Sequence, residues 1–161
     1  MIYRGAAAEA LSALKYRGML PMQKPLEEAL IRGIRTMRPF PETDVLIPVP
    51  LSRRGLRKRG FNQSYILAAS LARQLDLFLE TDVLRRRGGR TQVGLAAKER
   101  DRNALSSFVP GRSVHRIRGQ RVLLFDDVYT TGATVRACAR ILRGAGAEVS
   151  VLTLARAVKE P

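Results

Sequence analysis

Apolar residues recur along this chain in two rhythms, helical spacing and short unbroken runs, and the two alternate. Ala7, Ala10, Leu11 and Leu14 predict a helix over 4–17, with Gly18 as its stop. Leu26, Ala29, Leu30 and Ile34 predict a second, entered after Pro25 and ended before Pro39. Residues 45–49 read as a strand in which Pro48 leaves one ladder position unfilled. Residues 62–75 are helical in pattern, and 83–87 and 107–109 suit short strands. The runs 122–125 and 149–154 predict buried strands, separated by a helix over 131–143 that Gly144 and Gly146 close. Strands alternating with helices imply β-α-β units and a parallel sheet, an α/β fold. Residues 88–103 carry neither rhythm and are rich in Gly, Gln, Lys and Arg. They predict a long mobile loop with one helical turn at 96–102, a length expected of a lid or binding segment.

The densest chemistry lies at 122–134, Val-Leu-Leu-Phe-Asp-Asp-Val-Tyr-Thr-Thr-Gly-Ala-Thr. Two adjacent carboxylates, Asp126 and Asp127, end an apolar strand, and a hydroxyl-rich turn with one glycine leads into a helix. A helix N-terminus offers free N–H groups and the positive end of its dipole to a phosphate. Thr130, Thr131 and Thr134 add hydroxyl donors, and Gly132 lets the backbone approach closely. The carboxylates suit vicinal sugar hydroxyls, or a Mg²⁺ held on them. Taken singly, an Asp followed by a Thr also suits the polar end of a strand before a capped helix.

The whole stretch resembles the PRPP-binding signature of type I phosphoribosyltransferases. That resemblance implies an acidic pair, Asp126 and Asp127, facing the ribose hydroxyls and Mg²⁺, mainly through ligand or water. It also implies that Thr130, Thr131, Gly132, Ala133 and Thr134 hold the 5′-phosphate.

Composition narrows the rest. A chain of 161 residues can bury a full core without staples. Its one cysteine, Cys138, precludes an internal disulfide and is expected to be a small buried residue, and its one histidine, His115, leaves zinc-type sites without ligands. A catalytic metal is therefore expected to be oxygen-ligated. No apolar stretch reaches the length of a membrane span and no secretory leader pattern opens the sequence, so a cytoplasmic protein is expected. The formal charge of +15 points to polyanionic partners. Between 51 and 121 stand 17 basic and 5 acidic residues, so the surplus is concentrated in the connections between the strands.

After the first strand come Leu51, Ser52, Arg53 and Arg54, then Leu56-Arg57-Lys58-Arg59-Gly60-Phe61-Asn62-Gln63. Ligands of open parallel sheets sit beyond the strands' carboxyl ends, so this loop should face the same crevice as Asp126. Backbone N–H groups and guanidinium forks of Leu51, Ser52, Arg53 and Arg54 could hold a pyrophosphate. By itself, the run from Arg53 to Arg59 reads equally well as a solvated charged segment.

Together with Arg-Thr-Gln-Val-Gly-Leu at 90–95, Glu99-Arg100, Asn103 and the acidic-pair signature, these segments resemble the ComF family of competence-associated, phosphoribosyltransferase-like proteins. Members commonly begin with a cysteine-rich zinc ribbon, a pattern this sequence lacks. The resemblance implies a type I phosphoribosyltransferase-like fold, a Rossmann-like parallel sheet flanked by helices. A helical hood over 1–40 and a phosphoribosyltransferase domain over 41–161 would together form one compact domain.

The resemblance further implies a Mg²⁺-dependent enzyme that binds PRPP or a nucleoside 5′-monophosphate, linked to DNA uptake, its acceptor unspecified. Lys98, Arg100 and Arg102 would close over the site, and pyrophosphate loops of this kind often hold a strained or cis non-proline peptide. For base stacking, Tyr3, Tyr16, Tyr65 and Tyr129 are the candidates, Tyr129 being nearest the ligand. The alternative is a competence factor binding single-stranded nucleic acid, with Arg57, Lys58 and Arg59 as contacts and the PRPP pocket kept as a regulatory or structural site.

Overall fold

A computed structural model describes residues 2, 5–17, 20–87 and 106–157. Its elements run α1 (Gly5–Arg17), a 3₁₀ turn (Leu20–Met22), α2 (Gln23–Thr36), β1 (Val45–Pro48), α3 (Arg53–Arg59), α4 (Gln63–Leu75) and β2 (Phe78–Leu79). Then come β3 (Leu84–Arg86), β4 (Phe108–Pro110), a 3₁₀ turn (Val114–Ile117), β5 (Arg121–Tyr129), α5 (Ala133–Gly144) and β6 (Glu148–Arg156). The fold is α/β: a parallel sheet of order β2-β1-β5-β6, flanked by the five described helices.

Side-chain alternation along the strands builds two cores. Leu46, Leu123 and Phe125 face α1, α2 and α4, meeting Leu11, Leu14, Leu30, Leu67 and Leu71. Val45, Ile47, Val122 and Leu124 face the other way, onto Val135, Cys138 and Leu142 of α5. Because both faces are covered, β1 is buried at all four positions, which is why its sequence is an unbroken apolar run. Cys138 is buried and free, as its place in the helical pattern predicts.

The chain leaves β1 toward β2 on one side, whereas β5 lies on the other. The carboxyl ends of β1 and β5 therefore flank a topological switch point, where open sheets of this kind bind ligands. At the opposite end of the same two strands, the Arg121 guanidinium binds Asp44 at 2.5 Å and also pairs with Glu42. β3 and β4 form a separate antiparallel ribbon. The long loop expected at 88–103, with Lys98, Arg100 and Arg102, lies outside the described residues.

Three local expectations are corrected. Strand β5 continues through both carboxylates to Tyr129, because β6 keeps pairing with it as far as Tyr129↔Arg156. The charged run after Ser52 is a helix, α3, with no buried residue, so it leaves no apolar rhythm to read. The helix after the threonines starts at Ala133, two residues later than the pattern suggests.

Candidate functional site

A cavity of ≈ 250 Å³ opens at the switch point. From β1 and its exit it takes Val49, Pro50 and Leu51, and from β5 and the following turn Asp126, Asp127, Val128, Thr130 and Thr134. The start of α4 supplies Asn62, Gln63 and Ser64. Lys15 of α1 and Arg86 of β3 complete the lining.

Local chemistry fixes α4 against β1. The Asn62 side chain caps the helix by accepting from the Ser64 N–H at 3.1 Å, and its amide donates to the Val49 carbonyl at 3.1 Å. Ser64, buried by this docking, donates from Oγ to Asp126 Oδ1 at 3.2 Å. The same Oδ1 accepts from the Asp127 N–H at 2.9 Å. Burial, and then the neighbouring Asp127 charge, push the Asp126 carboxyl up to about 7, against the lowering pull of these donors and of Lys15.

Asp127 is held differently. Its Oδ2 lies 2.5 Å from Lys15 Nζ, with side-chain exposures of 6% and 13%, so the pair is withdrawn from water. The approach is off-angle, leaving that buried oxygen without a directed hydrogen bond. Neither Lys15 nor Ser64 stands out in sequence, since α1 and α4 meet β5 only in the folded chain.

Thr130 and Thr134 border the cavity, whereas the Thr131 hydroxyl turns back to accept from the Ala133 N–H at 3.3 Å. Gly132 has φ 76°, the left-handed conformation that a side chain disfavours. A Cβ there would strike the Tyr129 hydroxyl and come within 2.9 Å of the Arg136 guanidinium. Tyr129 thus braces the turn, with Arg156 5.6 Å from its ring, and does not border the cavity as a stacking platform. Tyr65 lies in a separate groove, and Tyr3 and Tyr16 are not among the side chains described.

The loop after β1 divides. Leu51 borders this cavity, and Arg53 borders an adjoining one of ≈ 620 Å³ that shares Pro50, Leu51 and Arg86 with it. Ser52 is occupied as the cap of α3, accepting from the Gly55 N–H at 3.1 Å, and Arg54 is exposed beside neither cavity. The described residues hold one cis peptide, Arg38–Pro39, and no residue of the loop has positive φ. The cis peptide expected of such a loop is not found at 51–54, where Ser52 instead caps α3.

Sequence reasoning missed the rest of the second cavity. Arg85, Arg86 and Arg87 line it beside Arg53, and Arg86 is held 5.2 Å from the Phe108 ring. Three consecutive arginines were the available signal. Of the α3 cations, Arg57 and Lys58 are exposed, and Arg59 donates to Gln63 of the first cavity at 3.2 Å.

Comparison with known proteins identifies the family and the fold. The phosphoribosyl transferase domain matches residues 62–160. Competence protein F of Haemophilus influenzae is 32% identical over 166 residues, covering 98% of this chain and 72% of that protein. The DNA utilization protein YhgH of Salmonella typhi is 37% identical over 133 residues, covering 81% of this chain and 56% of that one. Adenine phosphoribosyltransferase from Thermoanaerobacter pseudethanolicus shares the fold, with a TM-score of 0.54 at 16% identity over 88% of this chain and 71% of that chain. With the acidic pair and the threonine turn at the switch point of such a sheet, the chain belongs to the phosphoribosyl transferase domain family, in its competence-associated ComF branch.

Proposed function

We propose that the protein is a Mg²⁺-dependent phosphoribosyltransferase that binds PRPP between the ends of β1 and β5, in the service of DNA uptake. The observation that carries this reading is one cavity with Asp126 and Asp127 along one wall and Thr130 and Thr134 at the mouth of α5. In it the threonine hydroxyls and the first N–H groups of α5 hold the 5′-phosphate. The carboxylates accept from the ribose hydroxyls, with Ser64 keeping Asp126 in place. The Leu51 backbone and Arg53 take the pyrophosphate, and Val49 and Val128 keep water from the ribose carbon.

The acidic pair fits a divalent ion, since two adjacent carboxylates border one cavity and Asp127 Oδ2 is held there by the Lys15 ammonium alone. No group of three or more His, Cys, Asp and Glu occurs among the described residues, so such an ion would keep water and substrate oxygens as ligands. Bound with PRPP, Mg²⁺ would offset the charge of the departing pyrophosphate. Pyrophosphate release, measured across a panel of nitrogen acceptors, tests this function. Release with one acceptor supports it, and none with any nitrogen acceptor or with water contradicts it.

A second reading, binding of single-stranded nucleic acid, draws on the arginine-lined cavity beside the site and on Arg57 and Lys58, exposed on α3. Arg53, Arg85, Arg86 and Arg87 offer more positive charge than one pyrophosphate uses. Affinity for a labelled oligonucleotide should fall steeply with salt, with little stacking contribution. Arg57→Glu with Lys58→Glu should flatten that dependence while PRPP binding survives. Arg59 is spared in this test because it holds Gln63. Binding insensitive to salt and to both reversals would remove this reading.

A further inference from the structure

The two carboxylates of the acidic pair are not equivalent. Both contacts of Asp126 Oδ1 are fixed, one from the buried Ser64 hydroxyl of α4 and one from the backbone. Asp127 Oδ2 instead depends on one movable partner, the ammonium of Lys15 at 2.5 Å. The two preceding anchors of α1, Leu11 and Leu14, are fully buried in the core that includes Phe125 of β5. The helix backbone is thereby pinned, and the four-carbon stem of Lys15 can swing within the cavity.

We propose that Lys15 is a positioning residue that holds Asp127 in the ligand-free protein, yields it to a divalent cation, and turns its ammonium to the anionic ligand entering with that cation. The proposal rests on reading the acidic pair as the ribose and metal end of the site. The charge count gives its logic. With both carboxylates ionised, the ammonium leaves the ligand-free pair at −1, whereas a divalent cation on that pair frees Lys15 as an unpaired buried charge. Metal alone is therefore resisted, and metal arriving with a phosphate-bearing ligand is welcomed. Binding of the two becomes mutually dependent.

Removing the ammonium while keeping the stem, Lys15→Met, should act with opposite signs on the two ligands, which loss of packing alone does not do. At mildly alkaline pH, Mn²⁺ alone should bind Lys15→Met about tenfold more tightly than wild type, while PRPP at saturating Mg²⁺ should bind about tenfold more weakly. Lys15→Arg, which keeps the charge, should stay within about twofold of wild type for Mn²⁺. Mn²⁺ affinity equal in wild type and Lys15→Met, or Lys15→Arg behaving as Lys15→Met, overturns the proposal.

Amine footprinting of the wild type gives a second decision should Lys15→Met not fold. Lys15 should be protected from acylation in the ligand-free protein and more reactive once Mn²⁺ is raised to saturate the site, and reactivity unchanged at saturating Mn²⁺ overturns the proposal. Failure of wild type to bind PRPP would count against the function proposed above, while the Mn²⁺ comparison would still decide this inference.

Discussion

Ser64 Oγ donates to Asp126 Oδ1 at 3.2 Å across 62 residues of sequence, joining the first turn of α4 to the carboxyl end of β5. Both residues are buried, so Ser64→Ala leaves Asp126 Oδ1 with the Asp127 N–H in place of two donors. The substitution should destabilise the protein by about 1 kcal/mol, read as a lower urea midpoint at unchanged slope. An unchanged midpoint would show that this bond contributes nothing.

Gly132 leaves the threonine turn little room for a side chain. Its φ of 76° and its approach to the Tyr129 hydroxyl and the Arg136 guanidinium both act against a Cβ. Gly132→Ala should cost about 1–3 kcal/mol in strain, with Asp126 and Asp127 untouched. Urea unfolding measures the cost, and wild-type stability in this variant would refute the tight turn.

The pH dependence of stability should have two limbs of opposite sign. Asp126 has a folded pKa of about 7, above its ordinary value of 3.8, so between these values the native state binds more protons than the unfolded chain. Its contribution therefore weakens as pH rises through that window. Asp126→Asn should remove that limb, and equal slopes of melting temperature against pH in wild type and variant would argue against the raised pKa. Asp44 behaves oppositely: its hydrogen bonds with Arg121 lower it from 3.8 to about 2, and its contribution is lost as pH falls below about 4.

What the sequence disclosed follows from distance along the chain. The strand, the acidic pair and the threonine turn lie within thirteen residues, so their joint chemistry is readable before any folding. Lys15 and Ser64 reach Asp127 and Asp126 through tertiary packing, and nothing local marks them. α3 escaped notice because it buries no residue, and β2 because it is two residues long with Phe78 largely exposed. The strained or cis peptide expected at 51–54 came from resemblance, and neither a cis bond nor a positive φ occurs there.

Calorimetric titration of PRPP with Mg²⁺ into wild type and into Asp126→Asn with Asp127→Asn tests the central claim most directly. These substitutions keep the volume of the side chains and remove both carboxylates from the wall of the cavity, leaving the threonine turn intact. The account predicts saturable binding to the wild type and a loss of at least about tenfold in affinity in the double variant, with both proteins folded by circular dichroism. Equal affinity in the two proteins would contradict it.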